Sequence, residues 1–213
     1  MPILLYCISH SSGHNTTSLI GVAGMPVTHT RTGELIAFYS IAPDTTIWLQ
    51  RPLHIAAIEV HRVCNDVFKS AAIIPFRFPT IFETERDLEK HLIEESAEYD
   101  SILTKFRNLV QMEVRITGAK LRNPVESGTD YLQRRQQSIR AAERFSYELQ
   151  QRASGFVAEW RHRSIKDGVR AFALVKRNEV GEFQNSMRLM YVPDGLAVRV
   201  SGPWPVSEFI EQG

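Results

Sequence analysis

The stretch Ile73–Phe82 reads IIPFRFPTIF. In an extended chain alternate side chains fall on opposite faces, so Ile74, Phe76, Phe78 and Phe82 share one face while Pro75 and Pro79 share the other parity. Backbone N–H groups of like parity point the same lateral way, and proline has none to offer. The segment is therefore expected to be a strand with one flank left unpaired.

Upstream, Leu53, Ala56, Ala57, Val60, Val63, Cys64, Val67 and Phe68 recur at three and four residues, the spacing that gathers apolar groups on one helical face. Ile3–Ser9 reads as a first strand. Val27–Ile41 reads as a hairpin turning near Thr32-Gly33, with loop at Gly13 and from Gly21 to Gly24. Downstream, Thr84 with Asp87 three residues on is a helix start. Leu88, Leu92, Tyr99, Ile102, Phe106 and Leu109 then carry one stripe for about 25 residues. Met112–Ile116 returns to strand.

The Gly118–Gly128 stretch, with Asn123-Pro124 and Ser127-Gly128, breaks the periodicity and is the expected domain boundary, dividing the chain into residues 1–119 and 120–213. Beyond it Leu132, Ile139, Ala142, Phe145, Leu149, Ala153, Phe156 and Trp160 form a stripe on one helix of about 30 residues, roughly 45 Å long, which Gly155 could kink or end. Strand Arg170–Lys176, helix Glu179–Tyr191 and strand Leu196–Ser201 follow, a βαβ order that favours a right-handed crossover. The fold class is thus α+β in two domains.

With 213 residues, 43% apolar and 23% charged, the composition is that of an ordinary globular chain. The longest uncharged apolar run near the start, Ile3–Ile8, is far short of the roughly 20 residues that cross a bilayer, so no membrane partner is expected. Cys7 and Cys64 have no CxxC spacing and suit buried thiols in a reducing, cytoplasmic setting. A net charge of +1 gives no reason to expect nucleic acid. The charge is nevertheless segregated. Glu83–Asp100 holds eight carboxylates against Arg86 and Lys90, a net of −6, whereas Ala119–Arg170 holds eleven Lys and Arg against six Asp and Glu, a net of +5.

Two segments go beyond generic α+β. IIPFRFPTIF, following an amphipathic helix that carries His61, resembles the leucine-proline-x-arginine-phenylalanine-glycine-threonine-x-phenylalanine signature of the gas vesicle F/L (GvpF/GvpL) family. SGPWPVSEFI at Ser201–Ile210 resembles the threonine-glycine-proline-tryptophan-proline-proline-tyrosine-x-phenylalanine ending of the same family. Glu113, Gly128 with Tyr131-Leu132, and Ala171–Val175 match lesser landmarks in order. The sequence departs from the pattern at Pro79, where glycine is usual, and at Val206-Ser207, where proline-tyrosine is usual.

The resemblance implies an N-terminal α+β domain and a C-terminal ferredoxin-like domain with a long helix. It also implies a cytoplasmic, gas vesicle-associated accessory role in assembly: binding the small hydrophobic major shell protein, alongside other gas vesicle accessory proteins. It brings no catalytic residue, cofactor or metal. The matching motif positions are Pro75, Arg77, Phe78, Phe82, Gly202, Pro203, Trp204 and Pro205, structural or interaction residues.

Competing chemistries are poorly supplied. His61 and Cys64, three apart on a helix, would leave a zinc site half built. Ser9, His10 and Ser11 offer a nucleophile beside a base, but neighbours on an extended chain point apart. Arg77 between two phenylalanines reads as a structural arginine rather than a ligand-binding one. Gly202-Pro203-Trp204-Pro205 reads as a rigid turn with Trp204 packed into its own domain. Arg134, Arg135, Arg140, Arg144 and Arg152, interleaved with Glu143 and Glu148, read as a solvated or docking helix face. The alternative function, from another class, is a small-molecule sensor or enzyme on ferredoxin-like domains, since such a fold hosts many activities.

Overall fold

The computed structural model describes residues 1–10, 19–118 and 128–210, the side chains at 128, 130, 131 and 134 excepted. The expected loop at Gly13, and Asn123-Pro124 and Ser127 of the expected boundary, lie outside the described residues. The chain forms two compact units, residues 1–107 with 205–210, and residues 108–204.

In the first unit β1 (Ile3–His10) is central. It pairs antiparallel with β3 (Leu35–Ile41), which pairs with β2 (Thr28–Thr32), and on its other side with β4 (Ile73–Pro75) and β5 (Ile81–Phe82). Every residue from Ile3 to Ile8 is buried because both sheet faces are covered. A short helix, α1 (Thr46–Leu49), leads to α2 (Leu53–Phe68). The buried face of α2 carries Ala56, Val60, Val63, Cys64, Val67 and Phe68, as its spacing requires. The Cys64 thiol donates to the Tyr6 carbonyl at 3.4 Å, fixing which face of β1 lies under α2. On the opposite face Ile3, Leu5, Ile8, Leu35, Ala37 and Tyr39 meet Leu88, Leu92, Tyr99 and Leu103.

Those last four residues sit on two helices, α3 (Glu85–Glu94) and α4 (Ser96–Lys105), and not on the single helix of about 25 residues that the stripe suggested. The break is local. At Glu95 and Ser96 the stripe is interrupted by polar residues, Glu95 leaves the helical region at φ −96°, ψ 5°, and the Ser96 hydroxyl takes the Ile93 carbonyl at 2.8 Å. The expected start at Thr84 is present, its hydroxyl accepting from the Asp87 N–H at 3.2 Å.

The second unit begins with β6 (Leu109–Gly118), so the strand at Met112–Ile116, expected to close the first domain, instead belongs to the second sheet. Then come α5 (Gly128–Ala153), β7 (Val157–Ile165), β8 (Gly168–Lys176), α6 (Val180–Arg188) and β9 (Leu196–Trp204), with strand order β7-β8-β6-β9 and every neighbour antiparallel. This is the βαββαβ order of a ferredoxin-like sheet. Strands β8 and β9 are separated by β6 rather than adjacent. Val110, Met112, Val114 and Ile116 of β6 and Ala142, Phe145, Leu149 and Ala153 of α5 form the core, closed by Phe183 and Met187 of α6.

Two expectations fail here. The long helix stops at Ala153, where the Phe156 N–H turns back to the Ala153 carbonyl at 2.9 Å, and Trp160 lies in β7. That strand was invisible to a helical template because its alternation runs Glu159, Arg161, Arg163 on one side against Trp160, His162, Ser164 on the other, and the outward side is charged.

Candidate functional site

The Ile73–Phe82 segment runs along β1 in two pieces. Ile73, Ile74 and Pro75 stand opposite Ser9, Ile8 and Cys7, and the Phe76 N–H reaches the Tyr6 carbonyl at 2.9 Å. Pairing then skips: the Leu5 N–H bonds to the Thr80 carbonyl at 2.9 Å, and Ile81 and Phe82 face Leu4 and Ile3. Arg77, Phe78 and Pro79 are therefore an excursion out of the strand, closed by the Thr80 hydroxyl on the Arg77 carbonyl at 2.7 Å. Continuous parity through Phe78 is lost there, since β1 pairs with Ile73–Pro75 and with Ile81–Phe82 but not with Arg77, Phe78 or Pro79. The flank away from β1 has no strand partner among the described residues, as expected.

Arg77 is exposed, and among the described residues its side chain makes no ion pair. Phe76 and Phe82 instead turn inward. Phe76 meets Tyr99 edge-on with centroids 6.1 Å apart, Phe82 lies 5.2 Å from His91, and His91 Nε2 is 2.8 Å from the Tyr99 hydroxyl. Burial, and then the charges of Glu95 and Glu98, push the Tyr99 hydroxyl up to about 12. It stays protonated at neutral pH and serves as a hydrogen-bonding lid on an aromatic cluster. His91 and Tyr99 were missed as its polar members; their eight-residue spacing across a helix break carries no periodic signal.

The C-terminal motif has a geometric cause at Gly202. Ser201 stands opposite Glu113 and Trp204 opposite Gln111, so Gly202 and Pro203 together face Met112 in a bulge. Gly202 has φ +115°, and a Cβ there would stand 2.9 Å from the Gln111 carbonyl oxygen. Pro203 is exposed, Pro205 half-buried. Trp204 is only half-buried, contrary to the expectation of a buried anchor. The buried side chains are Val206 and Phe209, at 4% and 1% exposure, in the segment 205–210 that joins the first unit.

The remaining candidates are dispersed. Cys64 is buried against Tyr6 while His61 is exposed and bonded to Asn65 at 3.0 Å, so the pair does not converge. Burial first, then Cys64 beside it, pushes the Cys7 thiol well up, as suits an inert core thiol. Ser9 is buried, His10 meets Asp100 at 3.0 Å, and Ser11 lies outside the described residues. Among the described residues no three His, Cys, Asp or Glu side chains gather as metal ligands, and no helix is long and apolar enough to cross a membrane.

One surface of the first unit departs from the usual polar exterior. Helix α2 leaves Leu53 and Ile58 each 67% exposed, with Ala57 exposed as well and Leu49 of α1 nearby in sequence. The helix is held from beneath by Glu59, which accepts from the Ala23 N–H at 3.1 Å and from Arg51 Nε at 3.1 Å. Its carboxyl is held below the usual range, first by the Arg51 hydrogen bond.

Comparison with known proteins decides the family. The sequence pattern of the gas vesicle synthesis protein GvpL/GvpF family matches residues 2–211. The chain belongs to that family. Two solved structures share its fold: gas vesicle protein GvpF from Microcystis aeruginosa, with a TM-score of 0.74 at 14% identity over 93% of this chain and 94% of that one, and GvpF from Anabaena sp. PCC7120, with a TM-score of 0.70 at 13% identity over 100% and 97%. No curated protein sequence matches. Family membership gives the chain an accessory role in gas vesicle formation and accounts for both motifs being present in one sequence.

Proposed function

We propose that this gas vesicle accessory protein acts by binding the small hydrophobic shell protein during vesicle formation, and that the exposed surface of α2 makes the contact. The observation that supports the reading is that α2 leaves two large apolar side chains open to solvent, Leu53 in its first turn and Ile58 farther round the helix, with Ala57 also exposed. Large exposed side chains scattered singly need no explanation, but several on one rigid element mark an interaction surface. A small apolar partner is matched by such a surface, and a preformed helix loses little entropy on docking.

The test is a double substitution, Leu53→Lys with Ile58→Lys. Both side chains are exposed, so thermal unfolding should be unchanged while co-purification with the shell protein falls at least tenfold. Exposed Leu189 and Tyr191 of the second unit supply the control. Retained binding in the α2 variant, with loss in a Leu189→Lys, Tyr191→Lys variant, would move the contact to the other unit and reject the assignment.

A further inference from the structure

The face of the second sheet that turns away from α5 and α6 carries a row of arginines in direct register. Arg163 of β7 stands opposite Arg170 of β8, Arg170 opposite Arg115 of β6, and Arg115 opposite Arg199 of β9. One row thus crosses all four strands with the same charge at every position. Like charges placed directly opposite one another destabilise a sheet. The neighbouring rows relieve this only in part. Glu113 takes Arg170 in a bidentate pair at 2.8 Å, and Asp167 approaches Arg115 at 3.8 Å. Arg115 remains 52% exposed, and Arg199 is exposed with no carboxylate partner among the described residues.

The row asks for an anionic surface, and the same chain presents one. Just before α3 and along α3 and α4, Glu83, Glu85, Asp87, Glu89, Glu94, Glu98 and Asp100 are exposed, against Arg86 and Lys90. Lys90 reaches Glu94 at 3.7 Å, but Glu83, Glu89 and Glu98 have no cation partner among the described residues. Exposed Ile93, 63% accessible beside Glu89 and Glu94 in the helix, adds an apolar centre to the acidic face. A nucleic acid fits the arginine row less well. Glu113, Glu159 and Asp167 share its surroundings, and Phe172, whose ring lies against Arg170, is 1% exposed and cannot stack on a base.

We propose that the arginine row docks the acidic α3–α4 face of a second copy of this chain. The contact joins two different surfaces, the arginine row of one copy and the acidic helices of another. The contact is electrostatic and therefore weakens with salt.

Sedimentation velocity of the full chain across a concentration series, at about 20 mM and about 500 mM salt, tests this on a scale set by charge screening. Concentration-dependent association is expected at low salt, with its midpoint shifted at least tenfold at high salt. A row variant, Arg115→Glu with Arg199→Glu, should sediment as monomer, and so should a face variant, Glu89→Arg with Glu98→Arg. Mixed together, the two variants regain complementary pairs and should associate again. Wild type that stays monomeric throughout, or variants that associate like wild type, would overturn the proposal. Circular dichroism of each variant checks the fold; if the double row variant unfolds, Arg199→Gln alone carries the same comparison. If added RNA or DNA, rather than a second copy, binds in proportion to the arginines present, the assignment of the occupant is wrong.

Discussion

Replacing Phe209 with alanine should damage the protein more than replacing Trp204, although Trp204 is the larger side chain and sits in the more distinctive motif. Phe209 is 1% exposed, so nearly all of its roughly 150–250 Å² is removed from water, and at about 25 cal/mol per Å² that is about 4–6 kcal/mol. Large-to-small replacement of a buried phenylalanine costs about 3–5 kcal/mol once partial collapse is included. Trp204 is half-buried, so about half of its roughly 250 Å² counts and about 3 kcal/mol is expected. Trp48, fully buried in the first unit, reports on that unit when Trp160 and Trp204 are replaced by phenylalanine. In urea, with a slope of about 1–3 kcal/mol per M, Phe209→Ala should lower the Trp48 midpoint by about 2 M, since segment 205–210 belongs to that unit. A Phe209→Ala midpoint within about 0.3 M of its parent, or a larger loss for Trp204→Ala by circular dichroism, would show that the tryptophan is the anchor after all.

Two further outcomes follow from buried polar groups. Tyr6 donates to Ser40 Oγ at 2.9 Å, because Ser40 itself donates to the Pro26 carbonyl, and it accepts from the Val22 N–H at 3.0 Å. Tyr6→Phe leaves that buried N–H without its acceptor and should cost about 1–3 kcal/mol in urea unfolding; a loss below about 0.5 kcal/mol would mean the loop re-satisfies itself. For Glu59 the folded-state pKa lies below its ordinary 4.5, so its contribution to stability is present above that value and is lost as pH falls through the depressed one. Wild type should therefore exceed Arg51→Met in thermal midpoint at pH 6 and converge with it at the acid end. A gap that is constant with pH would assign the effect of Arg51 to packing.

Local pattern sufficed for much of this architecture. The apolar period of α2, the hairpin closing near Gly33 and the cap at Thr84 all depend on neighbours within a few residues, so they are legible in one dimension. So were both family motifs, and with them the α+β class and the gas vesicle role. The breaks were harder to read. The end of α5 and the kink between α3 and α4 depend on which of several adequate apolar positions the sheet accepts, and a helical stripe continues on paper through Phe156 and Trp160 whether or not a strand takes them. The sequence by itself determined the identity of the elements and the family. Only the tertiary structure decided the placement of β6, the excursion at Arg77–Pro79, the full burial of Phe209 and the alignment of four arginines from four strands. The arginine row depends on strand register, which pairs residues as far apart as Arg115 and Arg199 and is written in no local spacing.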